Sequence, residues 1–174
     1  MPEAESEMPV ILITGGVRSG KSTRAEARMR EFSGKPIYIA TAEARDEEMR
    51  ERIFRHRARR GAGWLERETP LELVAAIKET DGAGARLVDC LTLWLSNLLH
   101  ADRDWAQEGA RLADALKGQR SPVVLVTNEV GLGIVPDNAL AREFRDAAGL
   151  LNQTIAHVAD EVEFVVAGLP MRVK

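Results

Sequence analysis

The sequence predicts a single α/β domain built on a parallel sheet with helices on both faces. Two observations carry that prediction. Apolar, β-branched runs alternate with longer helical patterns along the 174 residues, the pattern of strands buried on both sides. One of the turns from run to helix is a glycine-rich phosphate loop, which belongs between a strand and the helix that follows it. A chain of this length buries one ordinary core and is too short for two.

Taken in order, strands are expected at residues 10–14, 36–40, 86–89, 122–127 and 162–167, each a short run rich in Val, Ile or Leu. Helices are expected at 21–31, 46–60, 70–79, 91–99, 105–117 and 138–159, where apolar residues recur at helical spacing. Asp81-Gly82-Ala83-Gly84-Ala85 is a connector. Residues 1–8, with Glu3, Glu5 and Glu7, are expected to form a flexible acidic tail ahead of one domain at 9–174. That tail lacks the basic start and apolar core of a secretion signal.

Composition narrows the partners. A formal net charge of −3 gives no general attraction to nucleic acid. No apolar stretch approaches the roughly 20 residues that span a bilayer. A lone cysteine, Cys90, has no partner for an intramolecular disulfide and suits the cytoplasm.

The phosphate loop is Gly15-Gly16-Val17-Arg18-Ser19-Gly20-Lys21-Ser22, a G-x-x-x-x-G-K-[ST] pattern between the first strand and the first helix. Its backbone N–H groups and the helix N-terminus suit a polyphosphate, Lys21 reaches the terminal phosphates, and Ser22 suits Mg²⁺. Asp89, at the end of an apolar run expected beside the first strand, is a candidate to position that metal; capping the next helix is the alternative. Glu129 ends the run Val123–Val126 with Thr127 and Asn128, where α/β sheets bind ligands. It is a candidate to assist Mg²⁺ or to accept a proton from a substrate hydroxyl. The apolar, glycine-bearing segment 130–136 then reads as a substrate-facing loop, with a tightly packed turn as the alternative.

The region 45–60 is the unusual one. Met49, Ile53, His56 and Arg60 recur at i, i+4, i+7 and i+11 and so share one helix face. From Arg52 onward come Arg55, Arg57, Arg59 and Arg60, with no acid among them. Such cations would offset phosphate charge. They would also disfavour a further positive charge on His56, leaving a neutral imidazole suited to attack phosphorus. A solvated arginine-rich helix carrying an incidental histidine is the alternative. His100 and His157 sit near helix ends and read as structural.

These residues resemble the bifunctional adenosylcobinamide kinase/adenosylcobinamide-phosphate guanylyltransferase family. The blocks that carry the resemblance are residues 12–22; Tyr38-Ile39-Ala40-Thr41-Ala42; Asp46-Glu47-Glu48-Met49 leading to Arg52, Ile53 and His56; Arg60, Trp64 and Glu68; 124–136; and 140–149 with Asn152-Gln153. The resemblance implies a RecA-like P-loop NTPase fold of three layers with a mostly parallel central sheet, assembled as a homotrimer. It implies phosphorylation of the aminopropanol hydroxyl of adenosylcobinamide by ATP or GTP. It further implies transfer of GMP from GTP, through a GMP-histidine at His56, to adenosylcobinamide phosphate. Position by position, it places nucleotide contacts at Gly15 to Ser22, at Thr41, Ala42 and Glu43, at Arg57, Ala58, Arg59 and Arg60, and at Glu68 and Asp89. The catalytic set is His56, Lys21 and Glu129, with Mg²⁺ held by Ser22 and Asp89. Two alternatives stay open: a P-loop small-molecule kinase lacking guanylyl transfer, and a nucleotide-gated binding module without turnover.

Overall fold

A computed structural model describes residues 8–44 and 46–174; the side chain of Arg52, all of Arg45 and most of the expected acidic tail lie outside the described residues. The elements in chain order are β1 (Val10–Gly15), α1 (Lys21–Met29), β2 (Ile37–Ala40), α2 (Glu47–Arg60), β3 (Leu65–Glu68), α3 (Leu73–Glu79), β4 (Arg86–Asp89), α4 (Leu91–His100), α5 (Trp105–Leu116), β5 (Val123–Val126), α6 (Ala139–Val158), β6 (Glu161–Val166) and β7 (Leu169–Arg172).

These strands form one seven-stranded sheet in the order β3-β2-β4-β5-β1-β6-β7. Every pairing is parallel except β6 with β7. The five expected strands and six expected helices are all present, with ends shifted by a few residues. Strands β3 and β7 are additions, and both are sheet edges. Strand β3 carries Glu66, Arg67 and Glu68 among its four residues, and β7 contains Pro170, tolerated because that edge donates to no further strand.

Side-chain alternation divides the core into two layers. Val10, Leu12, Ile39, Val88 and Leu125 face one side and pack against α3, α4, α5 and α6 through Leu73, Ile77, Trp94, Leu98, Leu112, Leu151 and Ile155. Ile11, Ile13, Leu87, Val124 and Val126 face the other side, where Ala25 and Met29 of α1 join them. That second layer is thin, and α2 beside it is mostly polar. Its capping residue Asp46 accepts a hydrogen bond from the Met49 amide at 2.7 Å. Open space remains under α2, where the site lies. Among the described residues, no helix is long and apolar enough to cross a membrane.

The expectation that Asp89 sits on the strand beside β1 is corrected. Strand β5 lies between them, pairing Val126 with Ile13 on one side and with Asp89 on the other. Val-Val-Leu-Val is buried at every residue, which suits the sheet's centre better than the polar-ended β4.

Candidate active site

The phosphate loop leaves β1 at Gly15. A Cβ there would lie 2.5 Å from the Val165 carbonyl oxygen and 2.8 Å from Ser19 Oγ, so only glycine fits. Gly20 takes a left-handed φ of 101°, and a Cβ on it would meet the Gly168 Cα at 3.0 Å. Gly168 donates its amide to the Ser19 carbonyl at 2.8 Å, so the β6–β7 turn braces the loop from outside. Lys21 begins α1, is buried, and donates from Nζ to the Gly16 carbonyl at 2.6 Å. The ammonium therefore curls over the space that the loop encloses. Ser19 Oγ and Thr14 Oγ1 are buried hydroxyls with no partner. Ser19, in the loop beside a helix N-terminus and a lysine, offers an orphaned donor suited to the oxygens of a phosphate chain; Thr14, by strand alternation, faces the opposite layer.

A cavity of about 460 Å³ lies along the neighbouring strand ends, lined by Tyr38, Met49, Ile53, His56, Arg60 and Asp89 among others. The predicted helix face is thus realised: Met49, Ile53, His56 and Arg60 all line it. Ala42, Glu43, Arg57 and Glu68 line it too, as do Asn128 and Glu66, whereas no residue of the phosphate loop does. Two strand spacings, roughly 10 Å, separate the ends of β1 and β4.

Asp89 sits inside this cavity with its carboxylate turned to protein groups. Oδ2 accepts a hydrogen bond from the Tyr38 hydroxyl at 2.9 Å and lies 3.7 Å from His56 Nδ1. Burial pushes the Asp89 carboxyl up, but His56 and Tyr38, with the charge of Arg60, outweigh it and hold the group below the ordinary carboxylate range. Burial and the Asp89 charge together push the Tyr38 hydroxyl well above its ordinary value, so it stays a donor. The Arg60 guanidinium stacks 3.3 Å above the Tyr38 ring, and Trp64 meets that ring edge-on. Cys90, also on the cavity wall, is buried and its thiol is pushed up to about 11, so it is an inert packing group.

The arginines do not surround His56 as the sequence led us to expect. Arg57 pairs with Glu66 at 2.5 Å and with Glu68 at 3.5 Å, Arg60 pairs with Glu66 at 2.7 Å, and Arg59 pairs with Glu26 of α1 at 2.7 Å. The acids missing from the second half of α2 come from β3 and α1, and the arginine hydrogen bonds hold Glu66 below the ordinary carboxylate range. Ala58 is exposed between them.

Thr41 is fully buried and inward-bonded. Its hydroxyl donates to the Cys90 carbonyl and accepts from the Cys90 amide, its own amide donates to the Asp89 carbonyl, and its carbonyl accepts from Asn97. It shapes the β2–β4 end, leaving Ala42 and Glu43 to face the cavity. Glu129 donates its amide to the Gly15 carbonyl at 3.0 Å, which ties β5 to the phosphate loop. Its carboxylate accepts from the amides of Gly131 and Leu132 at 2.7 and 3.1 Å. His100 contacts the Ser96 carbonyl at 2.7 Å, a local helix-end bond.

Sequence reasoning missed Tyr38, Glu66 and Asn128 as site residues. Asn128 carried a signal as one of the polar residues ending the Val123–Val126 run, and Tyr38 stood in a block that carries the resemblance without a site role of its own; Glu66 became visible only through the fold. Among the described residues, no group of three or more His, Cys, Asp or Glu side chains converges as a metal cage. Ser22 at the loop's helix start suits a Mg²⁺ that draws most of its oxygens from phosphates and water.

A phosphate loop between strand and helix on a parallel sheet, with an acid across an intervening strand, defines a P-loop NTPase fold. Solved structures agree. A type III secretion system ATPase superposes with a TM-score of 0.53 at 12% identity, and the P4 protein of bacteriophage phi6 in complex with ADP with 0.51 at 17%. The chain covers 94% of itself in both and spans 56% and 54% of theirs.

The chain belongs to the cobinamide kinase / cobinamide phosphate guanyltransferase family, whose model matches residues 11–173. It is 49% identical over 166 residues to the bifunctional adenosylcobalamin biosynthesis protein CobP of Pseudomonas aeruginosa, covering 94% of this chain and 96% of that one. Identity is 42% over 181 residues to CobU of Salmonella typhimurium, with 95% and 99% covered.

Proposed function

We propose that this chain is a bifunctional enzyme that phosphorylates adenosylcobinamide and then guanylylates the product, with His56 as the covalent carrier. In the first step the aminopropanol oxygen attacks the γ-phosphorus of ATP or GTP. The bond from that phosphorus to its bridging oxygen breaks, and the diphosphate leaves. Lys21 and the loop amides offset the charge on the phosphate oxygens. In the second step a His56 nitrogen attacks the α-phosphorus of GTP and pyrophosphate leaves from the loop. A phosphate oxygen of adenosylcobinamide phosphate then takes the guanylyl group and frees the histidine. Ser22 would help hold a Mg²⁺ ion, which would supply further charge neutralisation when bound. Asp89 is directed to His56, so its metal role is secondary in this reading.

The observation that carries the guanylyl half is the pairing of His56 Nδ1 with Asp89. It orients the ring and leaves Nε2 as the nitrogen directed away from that carboxylate. Phosphorus attack needs an approach of about 3–3.5 Å, so α2 and the nucleotide must come together. The arginines exchange their carboxylate partners for phosphate oxygens as they do so. Ala42, Glu43, Arg57, Arg60 and Glu68 line the cavity, which supports nucleotide contacts there. Contacts at Ala58 and at Arg59, which is turned to Glu26 of α1, rest on the family resemblance alone, and Thr41 shapes the strand end beside them. Family resemblance supports a homotrimer in the cytoplasm; sedimentation at three times the chain mass tests the assembly.

The deciding experiment uses GTP labelled at the α- or the γ-phosphate. Acid-labile α-label on the protein, absent with γ-label and absent in His56→Ala, is the expected result. Active kinase that never takes α-label leaves the kinase-only reading standing.

A further inference from the structure

The loop after Glu129 exposes apolar side chains that the two phosphoryl centres do not explain. Leu132 is 81% and Ile134 97% exposed, and Val130, Val135 and Leu140 are exposed beside them in sequence. These side chains are not on a slack segment. The Glu129 carboxylate accepts both the Gly131 and Leu132 amides at one end. At the other end Arg142 donates to the carbonyls of Pro136 and Asp137, each at 2.8 Å, and Asn138 caps α6 through the Ala141 amide. A loop braced at both ends holds Leu132 and Ile134 outward against the tendency of apolar groups to fold back.

Its position is as informative as its exposure. The loop leaves β5, the strand between β1 with its phosphate loop and β4 with Asp89. Glu129 is bonded to Gly15 on the first side, and Asn128 lines the His56 cavity on the second. The root of the loop is therefore one strand spacing, about 5 Å, from each phosphorus-handling centre.

We propose that residues 130–135 are the docking platform for the corrinoid, shared by both reactions; this rests on the bifunctional reading above. A corrin is a broad, methyl-studded ring fringed with neutral amides. Val130-Gly131-Leu132-Gly133-Ile134-Val135-Pro136 matches it with apolar side chains, open backbone at Gly133 and no charge. Seated there, one molecule offers its hydroxyl to the phosphate loop and, once phosphorylated, its phosphate to the guanylylated histidine, pivoting rather than leaving. A second copy of the chain fits less well. So few side chains fall short of the roughly 800 Å² per partner that a stable interface buries.

Equilibrium dialysis with cobinamide, followed by its own visible absorbance, tests this on the full chain. Leu132→Ser/Ile134→Ser is expected to weaken cobinamide binding at least 10-fold and Ile134→Ser alone several-fold. The rate of α-label transfer from GTP to His56, which needs no corrinoid, stays within two-fold of the parent and certifies the fold. Unchanged cobinamide binding in the double variant overturns the platform while leaving the bifunctional reading intact. A parent chain that binds no cobinamide overturns both. A double variant that sediments as a smaller species assigns the loop to contacts between copies and also overturns the proposal.

Discussion

His56 Nδ1 lies 3.7 Å from Asp89 Oδ2, and the same oxygen accepts the Tyr38 hydroxyl at 2.9 Å. The carboxylate therefore serves the imidazole, with Tyr38 fixing it from the other side. Asp89→Asn keeps the shape and removes the charge. It is expected to slow α-label transfer from GTP to His56 by about 10–100-fold, the usual cost of losing an orienting partner. Kinase turnover is expected to change by only a few-fold. If the two activities fall together, Asp89 acts on the shared metal instead. Tyr38→Phe leaves the charge in place and is expected to give a milder version of the same split.

Lys21 is held over the loop by its bond to the Gly16 carbonyl. Lys21→Ala removes the one ammonium directed at the phosphates from inside the cradle. Both reactions are expected to lose at least 100-fold in kcat/KM, about 3 kcal/mol of transition-state stabilisation. Nucleotide binding measured by calorimetry weakens in parallel, and far-UV circular dichroism stays unchanged. Loss of only one activity would mean that the two reactions use separate triphosphate sites.

Local chemistry made the phosphate loop and the His56 face legible, because both are written in consecutive or helically spaced residues. Met49, Ile53, His56 and Arg60 line the cavity as their spacing predicts. What decides their electrostatics was not legible. Glu66 and Glu68 lie on β3, an edge strand with too little apolar content to announce itself, and they reach α2 only through the sheet order. The pairing of Asp89 with His56 likewise depends on β4 lying next to β2 and α2 folding over both. Strand order is a property of the whole core, and so β5 could not be placed between β1 and β4 from its own residues.

Glu129 has the proton-accepting role expected from the sequence and a bracing role that its hydrogen bonds add. As a proton acceptor it would use a lone pair left over from the bonds that its two oxygens accept from the Gly131 and Leu132 amides. As a brace it acts by holding the loop. A glutamine offers only one oxygen, so Glu129→Gln breaks one of the two bonds and sets an amide group against a backbone N–H. A brace predicts a rise in KM for cobinamide of roughly ten-fold with kcat within a few-fold. A general base predicts a fall in kcat of about 100-fold or more at unchanged KM. Steady-state kinase kinetics across a cobinamide series distinguishes the two.

Glu163 anchors the helix that begins at the phosphate loop. Its carboxylate takes Arg24 at 2.6 and 2.7 Å and Arg28 at 3.0 Å, and it is buried on β6. The Arg24 hydrogen bond lowers the Glu163 carboxyl most, burial opposes it, and the charges of Arg24 and Arg28 complete a net shift below the ordinary value of 4.5. A carboxylate held lower in the folded than in the unfolded chain binds fewer protons when folded. Its stabilisation is thus fully present above about pH 5 and is lost as pH falls through the folded value. Glu163→Gln leaves two arginines beside a neutral amide and is expected to cost about 3 kcal/mol at pH 7. The deficit relative to the parent should shrink as pH falls below the unfolded value of 4.5 toward the lower folded value, where the parent loses the same charge. Urea unfolding at pH 7 and pH 3.5 measures both. A deficit of equal size at the two pH values would assign the effect to packing, and the α1–β6 ion pairs would then hold the phosphate loop by shape alone.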